Sequence, residues 1–503
     1  MARSPPSGAA RARALCLKAA VVYEAGRLEE AIAHYRRALA LDPGNAAAAN
    51  DMGNALQTLG RFEDAISCYR AALAMNPDSA EIRINLGRAL DSSGHPREAL
   101  AAFGEALALA PESAEVHYRI GTVLENIPFL DDARAYYGKA LALDPGHAAA
   151  HIALANVLDD LGFGDEAWEH RRKGYAGRAF TTRPALGGGR PVRVLKLISA
   201  AGGNVPLDAV LAPSQFEVGS LTVEFADRLP PTDGFDAVVN AIGDADRCRR
   251  GLEAAAALLR GGTAAIINPP ARVLETGREA VSARLKSIPG VRTPRVVTLP
   301  RTLFEAGQGM AALAEAGWTC PLLLRALGHH AGHHFIKVDS FDRVNTAALS
   351  LPGNTITAIE WLDARGADGN FRKYRIMCLG GGLHPLHLAV STRWKVHYYT
   401  ANMADAAEYR AEELHFLSDV SAVVGPRGMT ALYAIRDALG LDYGGLDFAV
   451  GKGGEILLFE ANATMRIVLP PPDPLWDYRR PFIERALSAA RDLFAPPPAC
   501  ARS

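Results

Sequence analysis

The chain has few cysteines, no excess of charge of either sign and no long apolar run, and each absence excludes a class of protein. The six cysteines in 503 residues are scattered, with no CxxC pair: Cys16, Cys68, Cys248, Cys320, Cys378 and Cys500. This spacing argues against a disulfide framework and a structural zinc, and it favours a reducing, cytoplasmic location. Lys and Arg total 54 against 55 Asp and Glu, so no basic field recruits nucleic acid. No apolar run approaches membrane-spanning length, so we expect no membrane partner either.

Familiar catalytic signatures are also missing. Gly202 and Gly203 follow a predicted strand, but no GxGxxG is present, so a simple turn explains them better than a phosphate cradle. Histidines between residues 329 and 334 have helical zinc spacing, yet glycines interrupt the run and no HExxH glutamate accompanies it. We interpret them as loop histidines. No Ser-His-Asp or Cys-His set indicates a protein nucleophile.

A repeat of 34 residues is the clearest feature that the sequence does contain, over residues 12–180. Small, aromatic and proline positions keep one register through it: Ala31, Ala65, Ala99, Ala133 and Ala167; Tyr35, Tyr69, Phe103 and Tyr137; Pro43, Pro77, Pro111 and Pro145. The pattern resembles the tetratricopeptide repeat (TPR), whose helix pairs stack into a curved all-α solenoid. In the fifth unit Arg171 stands where the aromatic is expected, which indicates a terminal, partly solvated unit.

The repeat register also predicts a concave groove that binds a peptide or a protein. Polar and aromatic residues of the first helix of each unit would face that groove: Tyr23, Asn50, Asn54, Arg88, Tyr118 and Asn156. Amides and a guanidinium suit the backbone or the acidic side chains of an extended peptide. The alternative is that these are the polar positions that any soluble solenoid exposes.

A change of pattern follows the repeats. Residues 181–191 contain a glycine triplet and two prolines, which indicates a linker. Beyond it, predicted strands at 192–199, 235–242 and 264–268 alternate with helices, which indicates a parallel α/β domain over residues 192–290.

The strongest chemical signal lies at residues 440–465, which read as strand, glycine-rich turn and strand. Asp447 lies on the first strand, and Glu460 and Asn462 lie on one face of the second because they are two residues apart. Three hard oxygen ligands converging on one face would suit Mg²⁺ that shares substrate phosphate oxygens. The alternative is an ordinary hairpin whose carboxylates face water.

The segments at 267–297, 321–340, 357–382 and 440–465 together, in that order, resemble the ATP-grasp superfamily over about residues 190–495. The most specific match is the closing carboxylate, carboxylate and asparagine set at Asp447, Glu460 and Asn462. The resemblance implies a multidomain chain: the TPR solenoid, an α/β pre-ATP-grasp domain at 192–290, and α+β ATP-grasp lobes at 291–495.

The resemblance also implies roles for residues outside the metal set. Those expected to hold ATP are a basic residue on a strand (where lysine is commoner), the glycines of a phosphate flap and an inter-lobe segment beside the adenine: Arg325, Gly328, Gly332, Glu360, Trp361 and Leu362. Arg375 and Arg393 are the expected catalytic cations, with Lys395 as a further one. A guanidinium suits these roles because it can donate two parallel hydrogen bonds to phosphate oxygens.

The implied function is an ATP- and Mg²⁺-dependent carboxylate–amine ligase. Such enzymes phosphorylate a carboxylate and let an amine displace the phosphate, so a small-molecule amine or carboxylate would be a co-substrate. Fusion to a solenoid suggests a peptide or protein substrate recruited by the repeats. Two alternatives remain open: a kinase of the same fold, and a non-catalytic TPR scaffold with a vestigial nucleotide-binding domain.

Overall fold

The structure is a computed structural model, and it describes residues 8–127, 129–187, 189–260, 265–326, 334–396 and 401–494. The chain divides into two compact units, an N-terminal unit that ends at Gly174 and a C-terminal unit that begins at Tyr175. Within the described ranges, no helix has both the length and the apolar character needed to cross a membrane.

The described residues of the N-terminal unit form α-helices that are arranged in antiparallel pairs. Its helices are α1 (Gly8–Glu24), α2 (Leu28–Leu41), α3 (Ala46–Thr58), α4 (Phe62–Met75), α5 (Ala80–Ser92), α6 (Pro96–Leu109), α7 (Ala114–Asn126), α8 (Leu130–Leu143), α9 (Ala148–Asp160) and α10 (Gly164–Gly174). Each odd-numbered helix packs against the next, and each pair packs against the following pair. The turn inside four of the five pairs contains a left-handed glycine, Gly26, Gly60, Gly94 or Gly162.

The second, third and fourth repeats are each held together by an aromatic ring that packs on a glycine. Tyr69 of α4 lies so close to Gly53 of α3 that a Cβ on the glycine would be 2.6 Å from the ring. Phe103 with Gly87, and Tyr137 with Gly121, repeat this contact one and two periods later. The aromatic therefore fills the space that the missing side chain leaves, which explains why both positions keep the 34-residue register.

Gly53→Ala is expected to destabilise the N-terminal unit by about 1–3 kcal/mol, because the added methyl overpacks a closed contact with Tyr69. Gly138→Ala is the matched control: Gly138 is also helical, but its Cβ would meet no atom within 4 Å. We expect that control to be neutral or stabilising, since alanine favours helix over glycine. Equal melting temperatures for the two variants would contradict this packing.

The fifth repeat corrects one expectation. Arg171 is 3% exposed, not partly solvated. Its guanidinium lies 2.6 Å from the Asp159 carboxylate and donates to Asn156 Oδ1 at 3.3 Å. A buried ion pair thus replaces the aromatic contact of the earlier repeats, because a charge removed from water needs an opposite charge beside it.

The same repeat contains a histidine pair. The Nδ1 atoms of His151 and His170 are 2.8 Å apart, and His151 Nε2 lies 3.1 Å from the Pro145 carbonyl oxygen. A carbonyl can only accept, so His151 carries its proton on Nε2 and accepts from His170. Burial, with His151 and Lys173 nearby, lowers the pKa of His170 although Glu166 and Glu169 oppose the shift.

Acid is therefore expected to weaken the N-terminal unit. The folded chain binds a proton at His170 less readily than the unfolded chain, so this contribution is complete above pH ~6.5 and is lost as the pH falls through the lowered pKa. Melting temperatures between pH 7.5 and 5.5 should fall less in His170→Gln than in the native chain. An identical fall in both would contradict the assignment.

The first sheet of the C-terminal unit is an α/β sheet. Residues 180–285 contain β1 (Phe180–Arg183), β2 (Val192–Ile198), β3 (Phe216–Thr222), β4 (Ala237–Asn240), α11 (Arg249–Leu258), β5 (Ile266–Ile267), α12 (Pro270–Leu274) and α13 (Arg278–Leu285). The strand order is β1-β3-β2-β4-β5, and all neighbours except β1 and β3 are parallel. Strand β1 thus occupies part of the segment 181–191 that the sequence assigns to a linker.

The second sheet is antiparallel. Residues 291–360 form β6 (Val291–Arg292), β7 (Val296–Pro300), α14 (Arg301–Glu305), α15 (Gly309–Glu315), β8 (Leu322–Ala326), β9 (Phe335–Val338), α16 (Val344–Leu349) and β10 (Thr355–Glu360). Strands β7, β10, β8 and β9 make the second sheet in that order, and its own small core surrounds Phe304, Leu322 and Leu324.

The third sheet carries the C-terminal hairpin. Residues 371–492 form β11 (Phe371–Leu379), β12 (Gly382–Ser391), α17 (Ala407–Ser418), α18 (Val420–Leu439), β13 (Tyr443–Val450), β14 (Ile456–Asn462) and α19 (Arg480–Asp492). The order is β12-β11-β13-β14-β6, with β6 alone parallel to its neighbour. The first and third sheets share one apolar core.

Asn268 joins the first and third sheets. Its backbone N–H donates to Asp442 at 2.8 Å, and its side chain donates to the Tyr443 carbonyl and accepts from the Tyr443 N–H. This buried asparagine has a left-handed φ of 55°, which asparagine tolerates better than most residues. The contact holds the start of β13 against the end of β5.

Candidate active site

A cavity of about 720 Å³ lies between the second and third sheets of the C-terminal unit. Strands β8, β9 and β10 line one side of it, and strands β11, β13 and β14 line the other. Its size is that of a small-molecule site. Most of the residues that the sequence predicts for a site line this cavity.

The three predicted metal ligands lie on one face of the hairpin. Asp447 of β13 pairs directly with Glu460 of β14, and Asn462 follows two residues later on the same side of β14. The amide of Asn462 donates to Glu460 Oε1 at 2.9 Å. All three line the cavity, so the two-residue spacing predicted their juxtaposition.

Asp447 is held as a carboxylate by two cations. Arg375 donates to both carboxylate oxygens, at 2.6 and 2.7 Å, and Lys373 Nζ lies 3.2 Å from Oδ2. Burial alone would raise the pKa of Asp447, which is 3% exposed, but Arg375 and Lys373 hold it well below its usual value. The register of the sheet places Arg375 directly opposite Asp447.

Glu460 is held by a different arginine. Arg278, the first residue of α13, donates to Glu460 Oε1 at 3.2 Å and lies 3.5 Å from Asp246. Burial would raise the pKa of Glu460, but Arg278 and Arg325 lower it. Both carboxylates of the hairpin are therefore charged at neutral pH.

More cationic than anionic side chains line the cavity. Among the described residues that line it are nine cationic side chains and three carboxylates. The cations are Arg247, Arg278, Arg325, Arg372, Lys373, Arg375, Lys395, Arg466 and Arg479. Such an excess favours a polyanionic ligand over a neutral or cationic one.

Arg325 of β8 lines the same cavity from the second sheet. Burial and the charge of Arg278 lower the pKa of Arg325 to about 10, while Glu460 opposes the shift. Its guanidinium also lies 5.7 Å from the centre of the Phe335 ring. Arg325 remains protonated at neutral pH, so its positive charge would attract phosphate oxygens.

Residues 360–362 line the cavity where β10 ends. The carboxylate of Glu360 accepts from the Arg295 backbone N–H at 2.9 Å, so this side chain stabilises the loop before β7.

The next two residues form an apolar and aromatic surface. Trp361 packs edge to face against Trp394, with ring centres 5.8 Å apart. Leu362, 5% exposed, packs in a small apolar cluster with Leu457. This apolar and aromatic surface lies beside cations, so the cavity is complementary to a nucleotide, which has an aromatic base at one end and anionic phosphates at the other.

The other predicted site residues have different placements. Arg375 lines the cavity and binds Asp447. Arg393 is exposed, and it is not among the residues that line the cavity, whereas Lys395 is. Gly328 and Gly332 lie outside the described residues.

Whether the hairpin fits Mg²⁺ depends on its donors. In the described ranges, no group of three or more His, Cys, Asp or Glu side chains is arranged to hold a metal ion. The donors here are two carboxylates and an amide, and all three are oxygen ligands of the kind that Mg²⁺ accepts. Arg375, Lys373 and Arg278 already place positive charge against both carboxylates. These oxygen atoms are therefore suitable ligands for a divalent cation. To bind one, Asp447 must first lose its hydrogen bond with Arg375 at one or both carboxylate oxygens.

The predicted groove residues of the N-terminal unit divide into internal and accessible ones. Asn50, 6% exposed, accepts from Asn85 of the next repeat at 3.0 Å, so it links repeats and is largely withdrawn from solvent. Asn54 Oδ1 accepts from Tyr69, and Asn156 Oδ1 accepts from Arg171.

Three of the predicted groove residues are partly or fully accessible to solvent. Arg88 is exposed, and Tyr23 and Tyr118 are half-buried. The ring of Tyr118 lies 5.0 Å from the His147 ring and 5.1 Å from the Arg119 guanidinium. These residues are the better candidates for contact with a peptide.

Sequence reasoning missed Arg278, Lys373 and Trp394. Arg278 reaches Glu460 across 182 positions of sequence, and no local motif marks such a contact. Lys373 could have been found, because it precedes Arg375 by two residues on a predicted strand and so shares its face.

The fold of the N-terminal unit defines it as a tetratricopeptide-repeat region, a class of scaffold that binds proteins and peptides. Tetratricopeptide repeat family models match residues 44–112 and 21–60.

Several solved structures are similar over about a third of the chain. MamA is 26% identical over 31% of this chain and 90% of its own, with a TM-score of 0.29. YrrB, described as a TPR protein with an unusual peptide-binding site, is 25% identical over 33% of this chain and 84% of its own, with a TM-score of 0.28. TTC0263, a TPR protein of Thermus thermophilus, is 22% identical over 33% and 91%, with a TM-score of 0.30. No curated protein sequence matches this chain.

Proposed function

We propose that the C-terminal unit is an ATP-grasp enzyme that joins a carboxylate to an amine at the expense of ATP. The observation that carries the proposal is the placement of Asp447, Glu460 and Asn462 together on one wall of a cation-rich cavity. An apolar and aromatic edge at residues 360–362 would receive the adenine. Two antiparallel sheets on either side of the cavity agree with this assignment.

The chain's own residues would bind and orient the triphosphate. Arg325 from the second sheet, and Lys373 and Arg375 from the third, would bind its oxygens from opposite sides. Asp447, Glu460 and Asn462 would hold magnesium, which would neutralise negative charge on the phosphates. Positioning and charge neutralisation are the main requirements of phosphoryl transfer.

The proposed reaction has two steps. A carboxylate oxygen of the substrate attacks the γ-phosphorus, the bond to the β–γ bridging oxygen breaks, and ADP leaves an acyl phosphate. The amine nitrogen then attacks the acyl carbon, the carbon–oxygen bond to phosphate breaks, and the nitrogen loses a proton to water. No protein nucleophile takes part.

The TPR unit would recruit a peptide or protein that supplies or carries one substrate. This part of the proposal depends on the presence of both units in one chain. Arg88 and Tyr118 are its accessible candidate contacts.

Trapping with hydroxylamine tests the reaction. The purified chain, incubated with Mg²⁺, ATP and a pool of amino acids and peptides, should yield a hydroxamate and ADP in equal amounts. ADP with a stable phosphorylated product and no hydroxamate would indicate the kinase. No nucleotide turnover in any pool would contradict both enzymes.

A non-catalytic nucleotide sensor is the second candidate, and one observation favours it. Arg375 engages both oxygens of Asp447, which leaves this ligand neutralised without a metal. In that case ATP would bind with equal affinity with and without Mg²⁺, and no hydroxamate would form.

A further inference from the structure

Helix α1 has an apolar face that is open to solvent. Leu17 and Val21 lie one turn apart and are each 66% exposed, and Ala14 is exposed one turn before them. Residues at these spacings share one side of a helix. The opposite side, with Ala12 and Ala19, is buried where α1 packs against α2. Ala14, Leu17 and Val21 together form the open face of α1.

The repeat register shows what kind of element this face contacts. The residues at the positions of Ala14 and Val21 in the later repeats are 0–5% and 0–1% exposed, respectively: Ala48, Ile82, Val116 and Ala150; Ala55, Ala89, Val123 and Val157. Helix α2 leaves Val21 exposed, so a residue's own repeat does not bury this position. The second helix of the preceding repeat buries it, as α2 packs against α3. The open face is therefore a surface for packing against a helix.

Basic side chains border the open face on both sides. Around the helix, Arg13 lies on one side of it, and Arg11 and Lys18 lie on the other. All three are exposed, and none forms an ion pair within the described part of the chain. The helix has one acid, Glu24, at its C-terminal end. At the position of Lys18 the later repeats have apolar residues: Met52, Leu86, Ile120 and Leu154.

This charge distinguishes between the possible occupants. Two open faces placed against each other would bring the three cations of each copy together, and like charges oppose such a contact. At the other end of the repeats, the exposed residues of α10 are Gly164 and five charged residues, which provide no apolar ridge. A membrane is also a poor match, because three small or aliphatic residues on a helix already packed against α2 leave little surface to insert.

We propose that the open face of α1 binds an amphipathic helix of a partner protein, a helix with leucine-like residues along one ridge and Asp or Glu on both borders of that ridge. The partner helix takes the place against α1 that α2 takes against α3. Its apolar ridge covers Leu17 and Val21, and its carboxylates pair with Arg13 and Lys18. The inference does not depend on the proposed ligase, because it concerns the N-terminal unit alone.

Two designed peptides of about 20 residues, long enough to form a helix, test the site on the full chain. Both have leucine at every a and d position of a heptad repeat, and they differ only in having glutamate or lysine at the e and g positions. Fluorescence anisotropy of the labelled peptides should show the glutamate peptide binding in the micromolar range, because the interface is small. It should bind at least about tenfold more tightly than the lysine peptide.

Substitutions on α1 separate the apolar contribution from the charged one. Leu17→Glu should weaken binding of the glutamate peptide about tenfold or more, because it places a like charge in the apolar ridge. Arg11→Glu, Arg13→Glu and Lys18→Glu combined should reverse the preference, so that the lysine peptide binds more tightly. Loss of folding cannot produce such a gain.

Controls change exposed positions elsewhere in the N-terminal unit. They should leave both affinities unchanged: Leu109→Glu, and Arg36→Glu, Arg37→Glu and Arg97→Glu combined. Circular dichroism checks that every variant keeps the helical content of the native chain.

Equal affinities for the two peptides, no binding of the glutamate peptide at millimolar concentration, or no reversal in the combined α1 variant would overturn the inference. A dimer in sedimentation equilibrium that Leu17→Glu dissociates would also overturn it, because the face would then bind a second copy. Leu17-dependent sedimentation with vesicles of phosphatidylcholine and phosphatidylserine would overturn it in favour of a membrane.

Discussion

Glu460→Gln is expected to reduce Mg²⁺-dependent ATP turnover by about a hundredfold or more, measured as ADP release in the presence of a productive substrate pool. The substitution keeps the size of the side chain but removes one of the two charges that would hold the metal. Glutamine can still accept from Arg278, which donates to Glu460 Oε1 at 3.2 Å, so the hairpin should keep its fold.

The control for this variant is Glu484→Gln, which makes the same change at an exposed position of α19. It should turn over ATP like the native chain. If Glu460→Gln retained native turnover while its melting temperature was unchanged, Glu460 would have no part in holding magnesium.

Glu413→Ala should destabilise the C-terminal unit by about 3–5 kcal/mol. Glu413 is 0% exposed, and its carboxylate accepts from Tyr478 at 2.5 Å and from the Leu388 N–H at 3.2 Å. It also lies 3.2 Å from Nε of Arg479, which is itself buried. Truncation therefore leaves an arginine charge buried without its carboxylate.

Urea unfolding followed by tryptophan fluorescence measures this effect, because four of the five tryptophans lie in the C-terminal unit. Glu408→Ala, at an exposed position of the same helix α17, should change the unfolding free energy by less than about 0.5 kcal/mol. A similarly small change in Glu413→Ala would show that the buried network does not stabilise the unit.

Local spacing predicted those parts of the molecule in which one residue constrains its near neighbours. The 34-residue register identified the helix pairs because each ring must meet a small residue of the preceding helix, as Tyr69 meets Gly53. The two-residue spacing of Glu460 and Asn462 placed both on one face, and the glycine turn brought that face to Asp447. These contacts depend on periodicity, which the sequence displays directly.

Contacts between distant elements could not be predicted in this way. The register that sets Arg375 opposite Asp447 depends on which strand pairs with β13, and the chain does not encode that pairing locally. Strand β6 pairs with β14 in the third sheet, although β7, which follows it within a few residues, belongs to the second sheet. Similarly, Arg171 departs from the repeat pattern, but only its pairing with Asp159 shows that it is buried.

Titration of the full chain with a non-hydrolysable ATP analogue, with and without Mg²⁺, tests the central claim most directly. The account predicts saturable binding that strengthens at least about tenfold when magnesium is added, and loss of that gain in Glu460→Gln. Binding that is absent, or that is equally tight without magnesium and unaffected by Glu460→Gln, would contradict a metal–nucleotide site at this hairpin.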